Sequence, residues 1–287
     1  MRVLLLGANG QLARDIQRLW PKERAEIIPA TRADADVTDA DAVRALVERH
    51  RPDVVVNTTA FHYLPDCEAD PQRAFAVNAV GGWNVARAAR AVGARVVQFS
   101  TDYVFDGTKQ TPYVERDPRR AVNVYGTSKI ATEDLVLQAH PDALVVRVSG
   151  LYGLAGSAGK GGSFVETMLR LAKEGSTIRV VADQYTCPTN TAEVAEALLP
   201  LIEVGTTGLV HLADGVGCSW ADFAEAIFEL CGLRPDFRRV TTEEFGSPVA
   251  RPKYSVMASE RVPPLRPWRV GLERYLREKG HLQTEPA

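Results

Sequence analysis

The chain has 287 residues, 45% of them hydrophobic, 24% charged and 7% aromatic, a globular composition that excludes a disordered, fibrous or disulfide-stapled protein. Lys and Arg number 34 against 36 Asp and Glu, for a formal net charge of -2. That leaves no cationic field to hold nucleic acid or an anionic membrane surface.

The opening apolar run, Val3 to Leu6, stops at Gly7. It is too short for a membrane span or a signal-peptide core, which predicts a cytoplasmic protein. From there short β-branched or leucine-rich runs alternate with longer amphipathic stretches. Strands are predicted over 3–6, 26–30, 54–57, 96–100 and 144–148, and helices over 11–20, 40–49, 71–92 and 124–138, with Thr38 or Asp39 capping the second. Such a βαβ rhythm predicts an α/β fold, a Rossmann-type doubly wound parallel sheet, because each crossover must run over a sheet face.

After Val148 the rhythm changes. The glycine-rich stretch 150–162 reads either as a loop over a site or as a plain connection. A helix over 163–173, a strand over 178–182, a helix over 191–202, a strand over 209–212 and a helix over 220–230 beginning near Ser219 follow. The tail carries Pro248, Pro252, Pro263, Pro264 and Pro267 before a last helix over 272–278. The predicted division is an NAD(P)-binding domain, 1–149 plus about 183–212, and a smaller, partly discontinuous C-terminal substrate-binding domain, about 150–182 plus 213–287. Cys67, Cys187, Cys218 and Cys231 lack the paired spacing of a zinc or redox motif and read as reduced, buried thiols. The five histidines are scattered, and no metal site is predicted.

The first strand runs into Gly7-Ala8-Asn9-Gly10-Gln11-Leu12-Ala13, a G-x-x-G-x-x-A turn opening a helix. Without side chains at Gly7 and Gly10 the backbone can approach a pyrophosphate, whose charge meets free N–H groups at the helix N-terminus. An NAD site usually ends its second strand with an acidic residue, whereas this one ends Pro29-Ala30-Thr31-Arg32. Arg32 therefore suits a 2′-phosphate, predicting NADPH as cofactor with NADH left open.

Tyr125 and Lys129 stand four apart on a predicted helix and share one face. That helix follows the fourth strand, whose end carries Ser100-Thr101-Asp102-Tyr103, and ligands of open α/β sheets sit beyond such strand ends. In a reductase the Thr101 and Tyr125 hydroxyls would hold a substrate carbonyl and Tyr125 would protonate its oxygen. Lys129 would bind the nicotinamide ribose and lower the Tyr125 pKa.

At these residues the sequence resembles the dTDP-4-dehydrorhamnose reductase family of the extended short-chain dehydrogenase/reductase superfamily. The segments are GANGQLA at 7–13, DVTD at 36–39, RPDVVVNTTA at 51–60, AVNAV at 76–80, STDYVFDG at 100–107, NVYGTSK at 123–129, DQYTCPT at 183–189 and Arg251-Pro252. The resemblance implies Thr101, Tyr125 and Lys129 as the catalytic trio. It implies Gly7, Asn9, Gly10, Gln11 and Leu12 at the cofactor phosphates, and Asp36 and Val37 beside the adenine. Thr58, Thr59, Ala60 and Asn78 would complete the cofactor site. For the substrate it puts Asp102, Tyr103, Phe105 and Asn123 near the sugar, and Gln184, Pro188 and Thr189 near the nucleotide. Arg251 would meet the diphosphate.

The chain departs from the family at Arg147-Val148-Ser149-Gly150-Leu151-Tyr152, where well-known members carry Arg-Thr-Ser-Trp before the Tyr and so an aromatic wall near the sugar. The implied activity is NADPH-dependent reduction of the 4-keto group of a nucleotide-linked 6-deoxyhexose, dTDP-4-dehydrorhamnose to dTDP-L-rhamnose or a close analogue. Another nucleotide-sugar reductase or epimerase is an alternative. So, from a different class, is an NADP-binding regulatory subunit resembling the methionine adenosyltransferase beta subunit. The implied partner is a nucleoside-diphosphate sugar, with a homodimer left open.

Overall fold

Alternate residues of the first strand face opposite sides of a sheet, and both sides are apolar. In the computed structural model, which describes residues 1–156 and 162–282, Val3 and Leu5 of β1 (Arg2–Leu6) join one buried core while Leu4 and Leu6 join another. This two-sided burial is what a parallel sheet covered by helices requires. Around β1 lie β2 (Glu26–Ala30), β3 (Val54–Asn57), β4 (Arg95–Thr101) and β5 (Leu144–Val148). With β10 (Gly208–His211) they form a six-stranded parallel sheet, order β10-β5-β4-β3-β1-β2.

The helices α1 (Gln11–Leu19) and α8 (Thr191–Glu203) cover one face, through Leu12, Ile16, Val194 and Leu198. The other face is covered by α2 (Ala40–His50) and α5 (Gly81–Ala91), through Val43, Val47 and Val85. Asp39, not Thr38, caps α2, accepting the N–H groups of Asp41 and Ala42. α6 (Val124–Ala139) follows β4 and packs against α5.

The helix expected over 71–92 is three pieces: α4 (Pro71–Phe75), a π-helical turn at Ala76–Val80, and α5. A π-turn inserts one residue into a helix and re-aims the side chains that follow it. A short helix α3 (Leu64–Ala69) precedes them in a stretch that lacked helical periodicity, with a proline in its first turn.

A separate core lies beyond the sheet. β6 (Leu151–Tyr152), α7 (Phe164–Glu174), β7 (Ile178–Val181), β11 (Cys218–Ser219), α9 (Trp220–Leu230) and α11 (Trp268–Glu278) contribute Tyr152, Val165, Leu169, Ile178, Phe223, Ile227, Leu272 and Leu276 to it. α11 starts one turn earlier than expected, because Pro267 serves as its N-cap and proline is tolerated at a helix start. An unforeseen strand β12 (Phe237–Val240) pairs with β7; it is too exposed and arginine-rich to read as apolar.

β8 (Tyr185–Thr186) pairs with β11, and β9 (Thr189–Asn190) with β6. The chain therefore returns to the large sheet with α8 rather than at residue 183. Of the glycine-rich stretch 150–162, residues 157–161 lie outside the described residues. No described helix is long and apolar enough to cross a membrane.

Candidate active site

Gly7 adopts φ +77°, and a Cβ there would stand 2.7 Å from Thr58 Oγ1. The turn closes through the Gly10 N–H to the Gly7 carbonyl, and Gly10 caps α1 without any side-chain hydrogen bond. The first N–H groups of α1 thus lack a side-chain cap, a cradle suited to a dinucleotide diphosphate. Thr58 Oγ1 donates to the Leu6 carbonyl and Thr59 Oγ1 to Asn57 Oδ1, which ties the loop after β3 to the glycine turn, with Ala60 exposed beyond.

Gln11 donates to the Leu151 carbonyl while its Oε1 is buried without a partner among the described residues, and Asn9 Oδ1 accepts from Arg14. The Leu12 side chain is buried in the sheet core, and its backbone lies in the first turn of α1. At the end of β2 Arg32 is 75% exposed and ion-paired to Asp36 at 2.8 Å. Thr38, through its N–H first and then its hydroxyl, holds the Asp36 carboxyl below the usual carboxylate range. Val37 is buried, and its carbonyl accepts from Asn84. Asn78, expected to touch cofactor, is buried with its amide engaged by the Phe61 backbone and the Ser128 hydroxyl. It holds a loop instead.

β4 delivers Thr101 at its C-terminal end, and α6 lays Tyr125 and Lys129 beside it. Gly126 makes that approach feasible: a Cβ there would fall 2.1 Å from the Tyr103 carbonyl oxygen. Tyr125 is partly buried, its phenol close enough to Thr101 for that hydroxyl to favour the phenolate, and its ring is edge-on to Tyr103 at 6.0 Å. Lys129 is 2% exposed, and its Nζ donates to the Phe99 carbonyl at 2.7 Å.

Burial pulls the Lys129 ammonium down to about 8, with the Glu133 charge opposing. The Tyr125 phenol is pushed up, by burial first and by the Asp102 charge second. This differs from the expectation that Lys129 lowers it: the ammonium is hydrogen-bonded to a backbone carbonyl, and the largest charge effect on the phenol comes from the Asp102 carboxylate.

Several residues expected at the sugar or nucleotide make contacts within the chain itself. Phe105 is fully buried, stacked on Tyr113 at 4.1 Å and under the Arg147 guanidinium, so it is core. Asn123 caps α6 through Gly126 N–H and donates to the Ala250 carbonyl. Asp102 is 1% exposed, its carboxylate taken up by Thr101, Ser255 and Thr186 hydroxyls. Pro188 and Thr189 are buried, and Thr189 Oγ1 donates to the Cys187 carbonyl. Gln184 is buried and donates to Thr242.

Tyr103 and Arg251, by contrast, come together: burial first and the Asp102 charge second push the Tyr103 phenol up to about 12, and the nearby Arg251 guanidinium opposes them. Arg251 also meets Ser247. Sequence reasoning missed Ser255, Thr186 and Ser149 around Asp102, brought there by distant loops with no local signal. It missed Glu68, whose carboxylate accepts the Val124 N–H at the start of α6. Glu133 was within reach of the spacing argument, one turn beyond Lys129 on one face. It lies buried between Ser100, Arg119 and a two-point contact from Arg147.

A family model described as RmlD substrate binding domain matches residues 1–280. The chain is 38% identical over 283 residues to the spore coat polysaccharide biosynthesis protein SpsK of Bacillus subtilis, covering 97% of this chain and 98% of the relative. It is 39% identical over 280 residues to a dTDP-4-dehydrorhamnose reductase of Mycolicibacterium smegmatis, covering 95% and 84% respectively. The crystal structure of dTDP-4-dehydrorhamnose reductase from Bacillus anthracis, in complex with NADP, aligns with TM-score 0.92 at 36% identity over 96% of this chain and 99% of that one.

Proposed function

Since the chain belongs to the RmlD substrate binding domain family, whose relatives here include curated dTDP-4-dehydrorhamnose reductases, we propose that it is an NADPH-dependent oxidoreductase reducing the 4-keto group of a dTDP-linked 6-deoxyhexose. The observation that carries this reading is the convergence of Thr101, Tyr125 and Lys129 at the end of β4, next to a glycine turn with an open helix N-terminus.

The residues present fit the dinucleotide. The Gly7–Gly10 turn and the start of α1 would hold its diphosphate, Gln11 has a buried acceptor in want of a donor, and Arg32 is exposed at the end of β2 for a 2′-phosphate. Bound there, NADPH supplies the hydride. Tyr125 donates a hydrogen bond to the carbonyl oxygen of the substrate and releases its proton to that oxygen as the oxygen gains charge. Lys129 supplies a fixed positive charge beneath the strand end, where low dielectric makes it count. Arg251, with the Tyr103 hydroxyl, receives the diphosphate of the sugar nucleotide. We assign 1–149 plus about 191–212 to cofactor and about 150–190 plus 213–287 to substrate, in a cytosolic enzyme.

The test is direct. Purified protein given dTDP-4-dehydrorhamnose oxidises NADPH, and Tyr125→Phe lowers kcat by about 10²–10⁴ with cofactor affinity unchanged. A Tyr125→Phe protein that turns over normally removes the reading.

A further inference from the structure

Both peptides that flank Tyr125 are anchored. The Val124 N–H before it donates to Glu68 Oε1 at 2.8 Å, and the Gly126 N–H after it donates to Asn123 Oδ1 at 2.8 Å. Glu68 lies on α3, within the stretch that follows β3. The other end of the Asn123 amide reaches a different part of the chain: its Nδ2 donates to the Ala250 carbonyl at 3.0 Å.

Asparagine suits this bridge because one end of its amide accepts while the other donates. An aspartate or a serine would cap α6 as well; the first has no hydrogen for a carbonyl, and the second has a shorter reach. Asn123 is 8% exposed, so little of it is left to face a ligand.

The carbonyl that Asn123 holds belongs to the peptide joining Ala250 to Arg251. Upstream of it Ser247 folds the segment on itself, its hydroxyl donating to the Val249 carbonyl at 3.1 Å and accepting from the Arg251 guanidinium. Downstream the chain is fixed by Tyr185, which donates its N–H to the Lys253 carbonyl and accepts the Ser255 N–H. Among the described residues, Asn123 supplies the one hydrogen bond that joins the backbone of 247–251 to another element.

We propose that Asn123 is a positioning residue: by holding the Ala250 carbonyl it fixes the Arg251 guanidinium against the start of α6, so that the group receiving the diphosphate and the helix carrying Tyr125 keep one spacing. The resemblance had put Asn123 near the sugar. Its action on the substrate passes through Arg251 instead. Ordering a charged side chain in advance removes part of the entropy cost that binding would otherwise meet. This inference rests on the reductase reading of the site and adds to it a residue that acts through another.

The probe is dTDP, which carries the diphosphate without the sugar, titrated into the protein by calorimetry. Asn123→Asp and Asn123→Ser both keep a cap on α6 and both lose the donor to Ala250. Each therefore raises the dTDP Kd about tenfold, the scale of one lost hydrogen bond to a charged site, with the NADPH Kd unchanged. A rise confined to Asn123→Asp is repulsion from the new carboxylate, an unchanged dTDP Kd means that Arg251 keeps its place unaided, and an equal loss of NADPH affinity means a general loosening. Any of the three overturns the proposal.

A cycle with Arg251→Ala separates positioning from contact. On that background Asn123→Ser changes the dTDP Kd by less than about twofold, within the scatter of such cycles. A further tenfold loss means that Asn123 touches the ligand itself and overturns the proposal.

Backbone ¹⁵N relaxation of the same proteins reads the segment with no ligand present. Order parameters at Ala250 and Arg251 stand near the roughly 0.85 of ordered backbone in the wild type and fall below about 0.6, as in a flexible loop, in both Asn123 variants. Unchanged values overturn the proposal. A wild type that binds neither NADPH nor dTDP removes the reductase reading, and the relaxation result still decides whether Asn123 holds Arg251.

Discussion

Asn78 grips the Phe61 peptide at both ends: its Oδ1 accepts the Phe61 N–H at 2.8 Å and its Nδ2 donates to the Phe61 carbonyl at 2.9 Å. A second hydrogen of the same amide goes to Ser128 Oγ, on the helix that carries Tyr125. One buried side chain thus ties the loop after β3 to α6.

Asn78→Ala takes these partners from the part-buried Phe61 backbone, whose carbonyl keeps the Cys67 thiol, at a cost of about 1–3 kcal/mol. Urea unfolding should register that loss. The loop that carries Thr58, Thr59 and Ala60 loosens with it, so NADPH titration should give a Kd raised about tenfold, the equivalent of 1.4 kcal/mol. An unchanged Kd would mean that the loop keeps its shape without Asn78.

Lys129 gives the protein a pH dependence whose sign is fixed by its environment. Burial brings its ammonium to about 8 from an ordinary 10.5, so the charge that supports the site is present below pH 8 and lost as pH rises through it. The pH profile of reductive kcat should fall on the alkaline side near pH 8, and Glu133→Gln should move that fall to lower pH by removing the opposing charge. Stability runs the other way. Between 8 and 10.5 the unfolded chain binds a proton that the folded chain has released, so the Lys129 contribution to stability rises with pH across that window. Denaturation of the wild type and Lys129→Met across it measures the difference.

Arg32 is solvent-exposed, its charge already shared with Asp36. In Arg32→Ala the KM for NADPH should rise about tenfold, a typical effect for one lost charge-assisted contact, with the KM for NADH unmoved. Asp36→Asn should separate holding Arg32 from binding: if Asp36 serves only to steady Arg32, the variant resembles a weak Arg32→Ala. Equal effects of Arg32→Ala on both cofactors would assign the arginine to the surface alone.

The strands of the large sheet, its helices and the spacing of Tyr125 and Lys129 were legible along the chain because each rests on local periodicity: two for a strand, 3.6 for a helix. The same holds for the glycine turn, where Gly7 supplies a φ that other residues resist.

What a side chain faces is decided by residues far off in sequence, which the reading from the chain alone did not contain. Phe105 and Asp102 lie within one motif beside Thr101, yet Tyr113 and Arg147 claim the ring and Ser255 claims the carboxylate. Asn123 precedes Tyr125 by two, yet helix capping and the Ala250 carbonyl use its amide. The physical reason is that a buried polar or aromatic group must be satisfied by whatever the folded chain brings to it. Motif order determines which residues come near the site, and only the tertiary structure decides which of them turn toward it.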